Sequence, residues 1–483
     1  MFDVIVIGGG PAGVTAALRC RELGASVALV ERGRMGGTCT NDGCVPTRVL
    51  ARTARLLRDA QHFDEFGIVG NRPQVDFDAV MRRTRSVVYS IHEKKQLIGH
   101  LSDAGVQLLS EAGDASFVDP QTISVGSTST RLQATTFILC VGGHARRLTF
   151  PGAEYALTHS DVWNMKQLPR SVAIVGASAT GCQLASIFAE FGSTVHLLEL
   201  GSRILPGEDE AVSHVMEQSF RRRGITIITN FTTVDRIDKT DDGLRLTYIA
   251  GTDTHEITTD DVILAVGWPG NLDALHLEAA DVKTERGYIV VDDYLRTTAP
   301  HIFAAGDVTG RMMLVQSASY DARIAAENAV LGARHAYQHK IVPHGGFTDP
   351  EYGSVGLTED KASANEAVDV AVVPYADIDR AVIDAHLEGL CKLVVSNASR
   401  QIVGAHVVGE QALEVTQMVA AGMAANMTIE QLAELELAYP TYAAIVGLAA
   451  RQIVRQRDSA HASPQWHALG KRVTVEWERR QPD

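Results

Sequence analysis

Cys39 and Cys44 are the two residues of this sequence whose type and spacing most clearly permit chemistry. Four residues separate them in segment 36–48, which reads GGTCTNDGCVPTR. In a helix-like turn this spacing brings two thiols within bridging distance, so that one can attack a substrate while the other faces a redox cofactor. A zinc site would need two more ligands nearby, which no cysteine pair or histidine cluster supplies. We therefore predict a redox-active disulfide and no metal site, with purely structural cysteines as the alternative.

The first thirty residues contain a dinucleotide-binding pattern. Gly8, Gly10 and Gly13 follow a continuous apolar strand at 4–7 and open a helical stretch, and Glu31 closes the next strand. Such glycines permit a tight turn, close approach of a pyrophosphate and close helix–strand packing, while the acid binds a ribose hydroxyl. We predict a dinucleotide site here.

A second strand–glycine–helix–strand unit begins at Ser171. It carries Gly176 and Gly181, but Ser178 replaces the middle glycine. This serine places a side chain where a pyrophosphate must approach, so somewhat weaker nucleotide binding is expected. Glu199 closes the following strand, where a carboxylate accepts hydrogen bonds from the ribose of NAD and repels the 2′-phosphate of NADP. We therefore favour NAD, with NADP less favoured.

Three further apolar strands end in glycine, and the character of the chain then changes. Their terminal residues are Gly142, Gly267 and the pair Gly306-Asp307, which we include in the predicted cofactor-binding set. From about residue 341, alternating strands and alanine-rich helices indicate an α+β domain. The predicted fold class is α/β, with two Rossmann-like nucleotide-binding domains and a C-terminal α+β domain.

Composition narrows the function classes. A length of 483 residues suggests about three domains. A net charge of −14 argues against nucleic-acid or anionic-membrane binding, and no apolar run approaches the ~20 residues needed to span a bilayer. Six cysteines are too few for a disulfide-rich secreted fold, and no signal peptide is evident, so a cytoplasmic location is expected.

Together these segments resemble the class I pyridine nucleotide–disulfide oxidoreductases, the flavoprotein family of dihydrolipoamide dehydrogenase, glutathione reductase and mercuric reductase. The resemblance covers residues 2 to 455. It is carried by both glycine motifs, the GGTCTNDGCVP block, Ala305-Gly306-Asp307-Val308 and Tyr439-Pro440-Thr441.

The resemblance implies FAD at the first glycine motif and a nicotinamide nucleotide at the second. Asp307 would bind the ribityl chain of the flavin, Cys39 would attack substrate, and Cys44 would stack on the isoalloxazine. It also implies a homodimer in which Tyr439 reaches Cys39 of the partner subunit. The expected domains are FAD-binding (1–145 and 269–335), NAD(P)-binding (146–268) and dimerisation (340–457), with a tail at 458–483.

Two departures from the family pattern bear on catalysis. The family pairs a lysine with a glutamate near the flavin, and Arg48 and Gln183 stand at those positions. Members that reduce thiol substrates carry a histidine–glutamate dyad where this chain has Tyr439 and Ala444. A tyrosine, with a pKa of about 10, is a poor general base at neutral pH. The adjacent C-terminal cysteines of mercuric reductases are also absent, since Cys391 is the last cysteine.

We therefore expect an enzyme that passes electrons from NAD(P)H through flavin and the Cys39–Cys44 disulfide to a small-molecule acceptor. A quinone, a metal ion or a reactive disulfide would need no acid–base dyad. Three alternatives stay open: a dihydrolipoamide dehydrogenase-type reductase with an altered proton relay, a carboxylase-type member that cleaves a thioether, and a non-enzymatic redox-sensing flavoprotein.

Overall fold

The computed structural model describes residues 1–126, 130–332, 334–338 and 341–457. The chain divides into two compact units. The N-terminal unit contains residues 1–204 and the described residues from 220 to 338, and the C-terminal unit contains residues 205–219 and the described residues from 341 onward. The tail expected at 458–483 lies outside the described residues.

The N-terminal unit begins with a strand–helix–strand unit whose first strand is buried from Val4 to Ile7, as its continuous β-branched run predicts. In chain order the elements up to residue 139 are β1 (Phe2–Ile7), α1 (Pro11–Glu22), β2 (Val27–Val30), α2 (Gly37–Asn41), α3 (Cys44–Gln61), α4 (Phe77–Lys95), α5 (Leu97–Asp103), β3 (Gln107–Leu109), β4 (Ala115–Asp119), β5 (Thr122–Val125) and β6 (Thr130–Leu139).

A second set of alternating strands and helices follows. Its elements are β7 (Leu157–Thr158), α6 (His159–Val162), β8 (Ser171–Val175), α7 (Ala179–Phe191), β9 (Thr194–Glu199), α8 (Glu210–Arg222), β10 (Thr226–Thr229), β11 (Thr233–Thr240), β12 (Gly243–Ala250), β13 (Asp253–Thr259) and β14 (Asp261–Leu264). The chain then returns to the first sheet through β15 (Thr284–Glu285), β16 (Tyr288–Ile289), β17 (Ile302–Ala304) and α9 (Val315–Leu331).

Two sheets with a matching order of parallel strands result. In the first, β3, β2, β1 and β6 run parallel in that order, β17 pairs parallel with β6, and β5 and β4 continue the sheet antiparallel beyond β6. The second runs β10-β9-β8-β14-β7. Ile7 lies opposite Val30 and Leu139 in the first sheet, and Val175 holds the corresponding position in the second. The expected pair of Rossmann-like folds is confirmed, and both glycine motifs follow the central strand at its carboxyl end, where such sheets bind ligands.

The C-terminal unit is an antiparallel sheet with helices packed on it. Its elements are β18 (His344–Gly346), β19 (Tyr352–Gly356), α10 (Glu359–Ser363), β20 (Val368–Pro374), α11 (Asp379–Ile383), β21 (Leu390–Ser396), β22 (Ile402–Val408), α12 (Ala412–Ala424), α13 (Ile429–Ala433) and α14 (Ala444–Arg457). The strand order is β18-β19-β22-β21-β20. Leu393 and Val407 of the sheet share one apolar core with Val419 of α12 and Ile453 of α14. This confirms the expected α+β class.

Over the residue ranges that the structure describes, no helix is both long and apolar enough to cross a bilayer.

Candidate active site

Packing fixes two of the three glycines in the first motif. Gly8 has a φ of +107°, and a Cβ on it would lie 2.3 Å from the carbonyl oxygen of Cys140. A Cβ on Gly13 would lie 1.7 Å from the carbonyl oxygen of Gly8. The space beside Gly10 is open, because its nearest neighbour would be Cα of Gly37 at 3.6 Å. The loop thus leaves room for a ligand at the N-terminus of α1, where helix N–H groups favour a phosphate.

The second motif repeats this geometry. Gly176 has a φ of +101°, and its Cβ would lie 2.4 Å from the carbonyl oxygen of Ala265. A Cβ on Gly181 would lie 1.8 Å from the carbonyl oxygen of Gly176. Ser178 caps α7 in an extended conformation and is exposed. The fold accepts a side chain at Ser178 because this position is exposed to solvent. Replacing the usual glycine with serine therefore changes only the space in which the pyrophosphate would bind.

Two carboxylates hold the glycine loops in the same way. Glu31 accepts hydrogen bonds from the backbone N–H of Gly9 at 2.6 Å and from the backbone N–H of Gly33 at 2.8 Å. Glu199 accepts hydrogen bonds from the backbone N–H of Ala177 at 2.8 Å and from the backbone N–H of Gly201 at 2.9 Å. Each acid is therefore fixed beside its glycine loop.

The cysteine segment is built against the first glycine loop. Gly36 donates its N–H to the carbonyl oxygen of Gly9 at 2.9 Å, and a Cβ on Gly37 would lie only 2.8 Å from Cα of Gly10. Helix α2 follows and carries Cys39, which is half-buried, and α3 begins at Cys44, which is exposed. Both side chains are free thiols.

The two thiols have opposite electrostatic character. The hydrogen bond from Cys39 lowers the pKa of Cys44 to about 7, helped by the backbone N–H at the start of α3 and by Lys95. The same hydrogen bond and burial raise the pKa of Cys39. Cys44 is therefore the first to become a thiolate, and Cys39 is the donor.

Asp307 lies close enough to this pair to act on it. It contributes an electrostatic interaction to both thiols, and burial raises its own pKa. Trp268, which directly follows Gly267, donates its Nε1–H to Asp307 Oδ2 at 2.9 Å. His159 packs on the indole with a ring-centroid distance of 5.3 Å. Sequence reasoning missed Trp268 and His159, although an indole beside a predicted site glycine was an available signal.

The loop between the cysteines is also held from α6. Ser160 donates its hydroxyl to Asp42 Oδ2 at 2.6 Å, and Trp163 donates its Nε1–H to the carbonyl oxygen of Asp42 at 2.7 Å. Asp42 thus restrains the connection between α2 and α3, and with it the relative position of the thiols.

The chain segments that leave β6 and β14 run side by side. The N–H of Asn271 donates to the carbonyl oxygen of Gly142 at 3.0 Å, and the N–H of Arg146 donates to that of Gly267 at 3.0 Å. The two glycines therefore lie where the connections between the parallel sheets meet.

Arg48 and Gln183 lie on the packed helices α3 and α7. Arg48 is half-buried one turn after Cys44. Gln183 donates its side-chain amide to the carbonyl oxygen of Ala179, one turn earlier in α7, at 3.0 Å. The side chain at this position is thus neutral and makes a hydrogen bond within its own helix.

Tyr439 is 76% exposed in the C-terminal unit. It donates its hydroxyl to Asp379 Oδ2 on α11 at 2.6 Å, and this hydrogen bond raises its pKa. The tyrosine is therefore held in its protonated, donating form. Sequence reasoning missed Asp379, which no motif marks.

Within the ranges that the structure describes, there is no group of three or more His, Cys, Asp or Glu side chains that could hold a metal ion.

Comparison with known proteins places these features in context. The family described as pyridine nucleotide-disulphide oxidoreductase matches residues 2–322, and its dimerisation domain matches residues 342–450. Dihydrolipoyl dehydrogenase of Geobacillus stearothermophilus is 32% identical, covering 91% of this chain and 93% of its own length. Mercuric reductase of Staphylococcus aureus is 30% identical, covering 93% and 82%.

Among solved structures, the Cu(II) complex of the HOCl-induced flavoprotein disulfide reductase RclA from Escherichia coli superposes with a TM-score of 0.83. It is 27% identical to this chain and covers 94% of this chain and 99% of its own. The similarity therefore extends over both units of the fold.

Proposed function

The chain belongs to the pyridine nucleotide-disulphide oxidoreductase family, and from that premise we propose that it passes electrons through Cys39 and Cys44 to a small acceptor that needs no histidine–glutamate dyad. The family is FAD-dependent and uses NAD(P)H, and this chain is a flavin-dependent oxidoreductase. The acceptor and the preferred nucleotide are the parts proposed here.

The observation that carries the acceptor proposal is the hydrogen bond from Tyr439 to Asp379. A group that takes a proton from a thiol must offer a lone pair near neutral pH. The Tyr439 hydroxyl instead donates to a carboxylate at 2.6 Å, and its pKa is raised. General acid–base catalysis contributes about 10²- to 10⁴-fold, so efficient turnover of lipoamide or glutathione disulfide is not expected.

The residues present fit FAD. The open space beside Gly10 and the N-terminus of α1 would hold the pyrophosphate, Glu31 the ribose, and Asp307 the ribityl chain. When bound, FAD supplies two-electron exchange between nicotinamide and the disulfide. Cys44 would hold negative charge on the cofactor side, and Cys39 would face the acceptor.

Three acceptor classes fit a dithiol without a proton relay: a quinone, a metal ion and a reactive disulfide. The RclA relative, whose structure is a Cu(II) complex, favours testing Cu(II) as a substrate first among metal ions. A lipoamide reductase with an altered relay and a redox-sensing flavoprotein are the competing functions.

The remaining assignments follow from the same residues. Glu199, fixed beside the second glycine loop, favours NADH over NADPH. The match to the dimerisation domain supports a homodimer, in which Tyr439 would approach Cys39 of the partner subunit. The proposed compartment is the reducing cytoplasm, where a dithiol couple can cycle.

The test is an anaerobic titration of the purified holoenzyme with NADH and, separately, with NADPH. A long-wavelength absorption band at two electrons, absent in Cys44→Ser, would show that the Cys44 thiolate contacts the flavin. Steady-state assays would then compare Cu(II), a quinone, a small reactive disulfide and lipoamide.

We expect turnover with at least one of the first three acceptors and slow reduction of lipoamide. Tyr439→Phe should change neither rate by much. Rapid lipoamide turnover that Tyr439→Phe abolishes would support the lipoamide reductase instead. NADH reduction of the protein without turnover of any acceptor would support the sensor.

A further inference from the structure

The last turn of α4 is attached to the helix that carries Cys39. Lys95 donates its Nζ–H to Thr40 Oγ1 at 3.0 Å, and His92 Nε2 hydrogen-bonds Asn41 Oδ1 at 2.7 Å. His92 and Lys95 are three positions apart, so they lie on one helix face. Lys95 is an exposed residue, but its ammonium group is hydrogen-bonded to Thr40, which is fully buried and directly follows Cys39.

Lys95 supplies the positive charge at this end of the dithiol. Among the leading influences on the two thiols, Lys95 lowers the pKa of both and Asp307 raises the pKa of both. Burial, together with Arg34 and Lys95, lowers the pKa of His92. His92 is therefore neutral at physiological pH, and the charge is carried by Lys95.

The chemistry of the pair creates a need for such a charge. Cys44 ionises first, and for Cys39 to become a nucleophile it must also lose its proton beside an existing thiolate. Two negative charges a few ångströms apart repel each other strongly in a partly buried site. Tyr439, donating to Asp379, offers no lone pair suited to accept that proton.

We propose that Lys95 is a positioning residue that stabilises negative charge on the reduced Cys39–Cys44 pair, with its ammonium group held in place by Thr40. This rests on the proposed function in one respect, namely that the pair cycles between disulfide and dithiol. It requires no particular acceptor. The released proton goes to solvent, and the lysine keeps its own charge throughout.

The test compares Lys95→Met, Lys95→Arg and Thr40→Val with the wild-type holoenzyme. Lys94→Met is the matched control, since Lys94 is exposed and points about 100° away around the same helix turn. Each protein is reduced with a phosphine, and the rate of iodoacetamide addition is followed from pH 6 to 9. Both cysteines lie in the tryptic peptide 35–48, so fragment-ion mass spectrometry assigns the label to Cys39 or Cys44.

For Lys95→Met we expect Cys39 alkylation about three- to tenfold slower at pH 7.5, with the rate–pH profile moved to higher pH. The midpoint potential of the couple should become more negative, because the reduced form loses stabilisation. Lys95→Arg should stay within about twofold of wild type, as should Lys94→Met, and Thr40→Val should lie between wild type and Lys95→Met.

Unchanged alkylation and potential in Lys95→Met would overturn the proposal. Equal losses in Lys95→Met and Lys95→Arg would also overturn it, since they would indicate shape rather than charge. Neither measurement needs an acceptor. A Lys95 effect in a protein that reduces none of the tested acceptors would therefore reject the proposed function and leave this inference standing.

Discussion

The hydrogen bond from Cys39 should control the ionisation of Cys44, and replacing Cys39 by alanine should release that control. The bond is the largest influence that lowers the pKa of Cys44 from its ordinary value of 9.0 to about 7. At pH 7, about half of the Cys44 side chains are thiolates with the bond in place. If the pKa returned fully to its ordinary value, only about 1% would be, a loss of about fiftyfold.

The other influences on Cys44 do not reduce this loss. In the variant, burial raises the pKa of Cys44 more than the backbone N–H at the start of α3 lowers it, and Asp307 raises it more than Lys95 lowers it. We therefore expect the thiolate fraction at pH 7 to fall by about fiftyfold or more. The direction is fixed, because a donor to sulfur stabilises the anion and its loss favours the thiol.

The assay is the rate of iodoacetamide addition to Cys44 from pH 5 to 10 in the holoenzyme. Cys39→Ser is the matched control, because a serine hydroxyl still donates to the sulfur. Its profile should stay near that of an acidic thiol, whereas the Cys39→Ala profile should move to higher pH by about two pH units or more. Identical profiles for the two variants would refute the assignment of Cys39 as the donor.

Three further predictions concern other parts of the molecule. The value of kcat/KM for NADH should be more than about ten times that for NADPH, because the Glu199 carboxylate repels a 2′-phosphate. Glu199→Gln should lower this ratio. Ser178→Gly should lower the KM for NADH about two- to fivefold in steady-state assays, since it frees the space in which the pyrophosphate approaches. Lys392→Met should lower the free energy of unfolding in urea by about 3–5 kcal/mol, because Asp209, 2% exposed and 2.8 Å from the ammonium group, loses its buried partner. The double variant Asp209→Asn/Lys392→Met should recover part of that loss.

The sequence predicts the local parts of the site well. Each glycine loop and its acid lie within about thirty residues of each other in the sequence. The continuous apolar runs on either side of them predict buried parallel strands. Accordingly, Glu31 accepts a hydrogen bond from the glycine loop that begins at Gly8, and Gly13 packs against the Gly8 carbonyl group from the start of α1. Matching residues in the second half repeat the arrangement, so the two Rossmann-like sheets follow from short-range patterns.

Residues that act across the fold escape such patterns. Lys95 meets Thr40 across 55 positions, Asp379 meets Tyr439 across 60, and Trp268 meets Asp307 across 39. Lysine, aspartate and tryptophan have no special spacing to these partners along the chain. Their roles become visible only when helix and strand packing places them together, which depends on tertiary structure rather than on local sequence.

The departures from the family pattern have one consequence in common. Gln183 is neutral and bonded to its own helix, and Tyr439 donates to Asp379 rather than accepting a proton. Neither position carries the charged or basic side chain that the family pattern has there. The Cys39 hydrogen bond, the backbone at the start of α3 and Lys95 still stabilise negative charge on Cys44. The proposed type of acceptor, which takes up electrons at the dithiol and exchanges its protons with solvent, suits a site with these two properties.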